Sequence, residues 1–132
     1  MWKPTKKTTL RGAAVVAAAL AFPVLNATAA QAIDWDHSML TDDQAPGGRV
    51  RFEAYGDIVE VCDIEPDGWA VEVTVEAGNY FDRFTIGGEG NCKTHRASNG
   101  HNLTEGKEYR FSVSLYKSST SSHYEDYAFW TA

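Results

Sequence analysis

Three acidic side chains at alternate positions ahead of a glycine form the pattern in this chain that is best suited to metal chemistry. They are Asp63, Glu65 and Asp67, followed by Gly68. A calcium-binding loop opens in this way because its oxygen donors must converge within one turn. The twelfth position of such a loop carries a bidentate glutamate, but here it is Thr74. The sequence therefore favours a tight acidic turn over a calcium site.

The histidines and serines form no recognisable catalytic or metal-binding motif. The four histidines are scattered, and no pair has a ligand spacing such as H-x-x-x-H. No serine lies in the G-x-S-x-G motif that presents a nucleophile in hydrolases. A Ser/His/Asp set or a carboxylate pair can still assemble in space, but a small domain has little room for a deep pocket. We therefore expect a non-enzymatic protein without a metal ion or cofactor.

Aromatic residues offer better candidates for binding, since they make up 14 of residues 33–132. The C-terminal segment places Tyr124 and Trp130 on one face of a predicted strand, and Tyr127 and Phe129 on the other. Exposed aromatic side chains mark contacts with proteins or sugars. Tyr127, Phe129 and Trp130 are therefore candidate partner-binding residues. The alternative is that both faces are covered, one by the opposite sheet and one by a loop.

The segment 33–48 also carries candidate binding residues, because apolar and acidic side chains are interspersed along it. The candidates are Ile33, Asp34, Trp35, Asp36, Met39 and Leu40. The segment has too few apolar residues to fold alone. Either it packs back on its own domain, or it extends as a flexible arm and inserts into a cleft or sheet edge of another protein.

Charge is distributed unevenly along the chain. Residues 1–32 carry four basic side chains and no acidic one, whereas residues 33–132 carry 8 basic against 18 acidic side chains. Affinity for nucleic acid depends on neutralising phosphates with Lys and Arg. The acidic majority of the chain therefore excludes a nucleic-acid-binding role.

Residues 1–32 have the three parts of a secretory signal peptide. A basic head reaches to Arg11, an apolar stretch runs from Ala13 to Leu25, and small residues end at Ala30-Gln31-Ala32. A membrane-spanning helix needs about 20 apolar residues, which this stretch lacks. We expect cleavage after Ala32 and a secreted, extracellular product that is not attached to a membrane, rather than an uncleaved anchor.

Cys62 and Cys92 are the two cysteines of the chain. In an oxidising compartment such a pair usually forms a disulfide. The closed loop of about 30 residues contributes about 3–4 kcal/mol to stability in the chain-entropy model.

The remaining sequence alternates between apolar and polar residues with the period of β-strands. Predicted strands cover Arg49–Tyr55, Asp57–Asp63, Trp69–Ala77, Tyr80–Ile86, Tyr109–Tyr116 and His123–Thr131, with a further short segment around Lys93–His95. The run from Leu103 to Tyr109 is typical of the tyrosine corner of immunoglobulin-like domains. The sequence thus predicts an all-β protein: a small immunoglobulin-like β-sandwich of six or seven antiparallel strands over residues 49–132, with one disulfide.

A set of turn and core residues spans this region. It comprises Gly56-Asp57, Val61-Cys62-Asp63, Asp67-Gly68-Trp69-Ala70-Val71, Gly90, Cys92, Leu103, Gly106 and Tyr109. The set resembles small secreted single-disulfide β-sandwich proteins of filamentous soil bacteria, some of which are the adaptor subunit of umbrella toxin particles, secreted antibacterial assemblies. The resemblance implies that the β-domain docks on a large repeat-bearing toxin chain. It also implies that residues 33–40 enter the cleft of a lectin-bearing subunit.

Taken together, these features predict a secreted protein that binds other secreted proteins and has no catalytic residue. The most specific version of this prediction is an adaptor in an extracellular antibacterial toxin complex. Two alternatives belong to other classes. A carbohydrate-binding module would use the exposed aromatic residues, and an enzyme inhibitor would present the loop Gly87–Gly90 near Cys92.

Overall fold

The computed structural model describes residues 32–118 and 121–132. The predicted signal peptide lies outside the described residues apart from Ala32. Within the described part of the chain, no helix is long and apolar enough to cross a membrane.

Eight strands and one short 3₁₀ turn make up the regular structure of the described residues. The strands are β1 (His37–Leu40), β2 (Gly48–Glu53), β3 (Ile58–Asp63), β4 (Ala70–Ala77), β5 (Tyr80–Ile86), β6 (Cys92–His95), β7 (Glu108–Ser118) and β8 (Ser121–Thr131), with the 3₁₀ turn at Ala97–Asn99. The first sheet has the order β1-β2-β3-β6 and the second the order β5-β4-β7-β8, with antiparallel pairing throughout. The prediction of an all-β sandwich is confirmed, β6 corresponds to the short segment expected around Lys93–His95, and β1 adds to the predicted strands.

The core lies between the two sheets, because alternate residues of each strand point inward. In β4 the inward positions are three valines, Val71, Val73 and Val75, all at most 1% exposed. They face Val50, Phe52 and Val61 from the first sheet, which are also fully buried. The polar residues between them therefore form the outer faces of the sandwich.

The tyrosine corner predicted before a late strand is present. The side chain of Tyr109 is 2% exposed, and its hydroxyl accepts a hydrogen bond of 2.8 Å from the backbone N–H of Thr104. Gly106 turns the chain between them with a φ of 74°, a conformation that glycine adopts without strain. The corner fixes the loop that enters β7.

The disulfide between Cys62 and Cys92 is also confirmed. The two residues lie directly opposite each other in the β3–β6 pair. In antibody domains the bridge joins the two sheets, whereas here it joins two strands of one sheet. It therefore ties the four-residue edge strand β6 to its neighbour.

The segment 33–48 contributes to the sandwich rather than forming a free arm along its whole length. Strand β1 pairs with β2 and places Met39 opposite Val50, where Met39 is 8% exposed. The ring of His37 stacks on Trp130 with centroids 4.9 Å apart. Packing back on its own domain, which the sequence left open, is thus the arrangement found for residues 37–40, and the folded domain begins at β1 rather than at residue 49.

Candidate functional site

The outer face of the second sheet gathers exposed aromatic and charged side chains. Strand register places four of them in one row across the sheet, namely Phe81, Glu76, Arg110 and Phe129. The adjacent row consists of Arg83, Thr74, Ser112 and Tyr127. We call these eight residues, together with Glu125, the aromatic face.

Three large aromatic side chains on this face are open to solvent. Phe81, Tyr127 and Phe129 are 60%, 55% and 57% exposed. Phe81 belongs to edge strand β5 and the other two to edge strand β8, so the edges lie about 14 Å apart at the usual strand spacing. Small hydroxyl side chains, Thr74 and Ser112, occupy the two central strands between them. The central strands thus carry the ion pair of Glu76 and Arg110 in one row and these small hydroxyl side chains in the other, and the aromatic side chains lie at both edges.

Arg110 is held in place at the centre of this face. Its guanidinium donates hydrogen bonds of 3.0 Å to Glu76 and 2.8 Å to Glu125. It also lies over the ring of Tyr127, 4.6 Å from the centroid. The hydrogen bond to Glu76, with the bond and charge of Glu125, raises the pKa of Arg110 above its usual value. A fixed cation thus stands beside two exposed rings.

Of the C-terminal candidates, Tyr127 and Phe129 lie on the aromatic face but Trp130 does not. Trp130 is 9% exposed and packs against Phe111, with ring centroids 4.7 Å apart. The expectation that Trp130 contacts a partner is therefore wrong for the folded domain. Trp130 is buried because it lies on the inward face of β8, which packs against the core.

A β-bulge explains why Tyr124 is exposed although Trp130, on the same strand, is buried. The register between β7 and β8 shifts between Val113 and Leu115, and Tyr124 has a φ of 56°. An extra residue in one strand reverses which side chains point inward beyond it. Tyr124 is accordingly 55% exposed, although simple alternation places it on the face of Trp130.

The N-terminal candidates divide into exposed and anchored residues. Ile33 and Asp34 are exposed, and Leu40 is 43% exposed on the outer side of β1. Trp35 is half-buried, with the Arg51 guanidinium 4.5 Å from its ring centroid. Because Arg51 faces out of the first sheet, Trp35 lies on the face opposite to the aromatic face.

Asp36 and Met39 hold the segment to the domain. The backbone N–H of Asp36 donates to the carbonyl of Phe52 at 3.0 Å, and its carboxylate accepts a bond of 2.9 Å from the N–H of Ala54. Met39 lies in the core. The residues that can leave the surface without breaking the sheet are therefore those up to Trp35.

The acidic turn predicted from residues 63–68 serves local structure. The carboxylate of Asp63 accepts a bond from the N–H of Glu65 at 3.3 Å, and that of Asp67 from the N–H of Trp69 at 2.8 Å. Asp63 is also 2% exposed. In the described residues these three acidic side chains do not converge into one group of donor atoms.

Two other groups of metal-ligating side chains have donor atoms within 4.8 Å of one another in the described part of the chain. The first comprises Glu60, Cys62 and Cys92, and the second Asp82, His95 and His101. The sulfur atoms of the first group form the disulfide and have no thiolate to offer. The second group contains no cysteine, so all three of its side chains keep a donor atom for a metal ion.

The second group lies where the edges of the two sheets meet. Asp82 points inward from β5, His95 points inward from β6, and His101 follows the 3₁₀ turn. Oδ2 of Asp82 lies 2.7 Å from Nδ1 of His95 and 3.0 Å from Nδ1 of His101. Sequence analysis missed this group because its members come from separate elements. The one available signal was an aspartate at an inward position of a strand.

Tyr80 neighbours the same group on β5. Burial, and after it the negative charge of Asp82, raise the pKa of the Tyr80 hydroxyl to about 12. Its ring packs edge-on against Tyr109, with centroids 5.4 Å apart. The tyrosine corner and the Asp82 group are thus neighbours at one end of the sandwich.

No known family model matches the chain, and no curated protein or solved structure is significantly similar to it. The likeness to adaptor subunits of umbrella toxin particles therefore stays a prediction, and function is argued below from the geometry of the described residues.

Proposed function

We propose that this protein is a secreted, non-enzymatic protein-binding module whose main contact surface is the aromatic face. The observation that carries the proposal is the exposure of Tyr127 and Phe129 on the strand next to Arg110, with exposed Phe81 at the other edge of the same sheet face. Aromatic residues and arginine are the types most enriched at the centres of protein interfaces. Tyr127 and Phe129 belong to strand β8, whose backbone is already ordered by pairing with β7. Little conformational entropy is therefore lost when a partner covers their rings.

The charge of the domain specifies the chemistry of the partner. Residues 33–132 carry 18 acidic against 8 basic side chains. Glu76 and Glu125 flank Arg110 on the aromatic face itself. Charge complementarity favours a partner that presents an apolar patch with basic residues at its rim.

An adaptor that joins two subunits is the most specific form of the proposal. Trp35 lies on the outer face of the first sheet and the aromatic face on the outer face of the second. Two partners bound to opposite faces of a sandwich do not compete for space. Residues 33–35 would form the inserting segment, because the sheet holds the chain from Asp36 onward.

The test compares variants of the aromatic face with a matched exposed tyrosine outside it. Proteins from culture fluid that co-purify with the protein are identified by mass spectrometry, and their affinities are measured. The double variant Tyr127→Ser/Phe129→Ser is expected to lose binding, whereas Tyr55→Ser is expected to keep it, since Tyr55 is 89% exposed but lies in a turn. Equal affinity for the partner in both variants contradicts the proposal.

The same variants distinguish the carbohydrate-binding alternative. Glycan binding that is lost in Tyr127→Ser/Phe129→Ser, with no protein partner captured, would assign the aromatic face to sugars instead. Turnover of any substrate by the purified protein would contradict the non-enzymatic part of the proposal.

A further inference from the structure

The Asp82 group provides the donor types that first-row transition metals prefer. Imidazole nitrogen and carboxylate oxygen both ligate zinc, whereas calcium and magnesium favour oxygen donors alone. Asp82, His95 and His101 supply one oxygen and two nitrogens. The chemistry of the donors thus selects a transition-metal ion over the alkaline-earth ions.

The separations between the donor atoms are close to those of a coordination shell. At zinc–ligand distances of about 2.0–2.2 Å, neighbouring donors of a tetrahedron lie about 3.3–3.5 Å apart. Oδ2 of Asp82 is 2.7 Å and 3.0 Å from the two Nδ1 atoms. A metal ion would therefore require these donors to separate by a few tenths of an ångström, and the His101 ring, which is stacked within 19° of the plane of His95, to turn so that both Nδ1 atoms face the ion.

The surroundings hold the donors in place while leaving a path from solvent. The ring of Phe84 stacks on His95 with centroids 3.6 Å apart, and His101 stacks on the other side of His95 at 3.8 Å. The side chains of Asp82 and His95 are 14% and 16% exposed, whereas that of His101 is 30% exposed. The inner two donors are fixed by packing, and the outer one, on a loop, can adjust.

From these observations we propose that Asp82, His95 and His101 bind a divalent transition-metal ion, with zinc as the best match. Three protein donors leave one tetrahedral position to water. The ion would link edge strand β5 of the second sheet to edge strand β6 of the first. This site is distinct from the aromatic face and does not depend on the proposed function.

A purely structural hydrogen-bond cluster is the competing explanation for the same geometry. Inward-pointing charges on edge strands discourage pairing with other chains, and Asp82 occupies such a position on β5. In that case both imidazoles donate Nδ1–H to Oδ2, and no ion is needed. In the metal site each imidazole carries its proton on Nε2, so Nδ1 becomes a ligand. The two explanations therefore differ in the histidine tautomer once zinc is added.

The experiment titrates the oxidised protein, purified without a histidine tag, with zinc chloride. Calorimetry is expected to give one ion per chain, and the melting temperature is expected to rise by about 10 °C when free zinc is about a hundred times the dissociation constant. Nitrogen NMR of the imidazoles is expected to show His95 and His101 changing to the Nε2–H tautomer. Calcium chloride at the same concentration is expected to change none of these readouts.

Three variants and a matched histidine control complete the test. Asp82→Asn, His95→Gln and His101→Gln are each expected to weaken zinc binding by about tenfold or more. His123→Gln is expected to bind as the parent does, because His123 packs against Trp69 away from the group, with centroids 5.3 Å apart. If Asp82→Asn and His95→Gln do not fold, zinc binding by His101→Gln still tests the proposal, because the side chain of His101 is 30% exposed. Lack of saturable zinc binding, or equal binding by His101→Gln and the parent, would overturn the proposal.

Discussion

The hydroxyl of Tyr109 accepts a hydrogen bond from the backbone N–H of Thr104, five residues earlier, at 2.8 Å. This bond closes the corner through which the chain enters β7, and β7 lies in the middle of the second sheet. The phenol is buried, so the bond is shielded from water and its loss leaves a partly buried donor without a partner.

Removing this hydroxyl is therefore expected to destabilise the domain measurably. Tyr109→Phe should lower the free energy of unfolding by about 1–2 kcal/mol, since the ring packing is kept and only the hydrogen bond is lost. Urea denaturation followed by fluorescence measures the change. Tyr55→Phe is the control, because Tyr55 is 89% exposed. Equal unfolding free energies for the two variants would show that the corner bond contributes nothing.

The disulfide is expected to stabilise the domain and to protect β6 in particular. Cys62→Ser/Cys92→Ser should lower the free energy of unfolding by about 3–4 kcal/mol in the chain-entropy model. Because the bridge joins β6 to β3, amide hydrogen exchange should accelerate most in residues 92–95. Amides of the central strand β4 should be affected only through global stability. The same loss of protection in both strands, with no preference for β6, would contradict the local role.

The N-terminal segment is expected to respond differently to changes on either side of Asp36. A variant lacking residues 33–35 should keep its melting temperature within a few degrees, since these residues precede the first strand. Met39→Ala should instead cost about 2–4 kcal/mol, because Met39 is buried in the core. Thermal melts of both variants decide the point. A large loss of stability in the 33–35 deletion would show that Trp35 is part of the fold.

Tyr80 is expected to make stability depend on alkaline pH. Its pKa is raised from 10.0 to about 12 by burial and by the charge of Asp82, so the folded state favours the neutral phenol. The unfolded chain loses this proton at lower pH than the folded domain. The stabilising contribution is therefore complete below about pH 10 and is lost progressively as the pH rises toward 12.

Spectrophotometric titration of tyrosinate tests this expectation. In the native protein Tyr80 should ionise near pH 12 rather than near pH 10, and Tyr80→Phe should remove that late step. Ionisation of Tyr80 near its ordinary pKa of 10.0 would contradict the assigned environment.

Several features of the fold follow from local sequence. Alternation in residues 69–77 predicts β4 and its inward valines, because side chains of a strand point alternately to opposite faces. The spacing of Leu103, Gly106 and Tyr109 predicts the corner, because each residue has a local role within one loop. The pairing of Cys62 with Cys92 follows from there being two cysteines in the chain.

Other features were decided by the tertiary structure. Alternation states which residues share a face but not which face is covered, so Trp130 became core while Tyr127 and Phe129 stayed exposed. A bulge at Tyr124 broke the alternation itself. Strand β1 formed from a segment with weak apolar content because β2 offered a free edge.

The Asp82 group shows most clearly what the chain alone does not reveal. Asp82 and His95 lie on different sheets, and His101 follows a turn, so no short spacing connects them. They meet only because two antiparallel sheets pack face to face and bring their edges together. The sequence by itself determined the strands other than β1, the disulfide and the corner, since each depends on local period or a unique pair of residues. The packing of the sheets decided which aromatic residues are exposed and which charged side chains converge, because both depend on contacts between residues far apart in the chain.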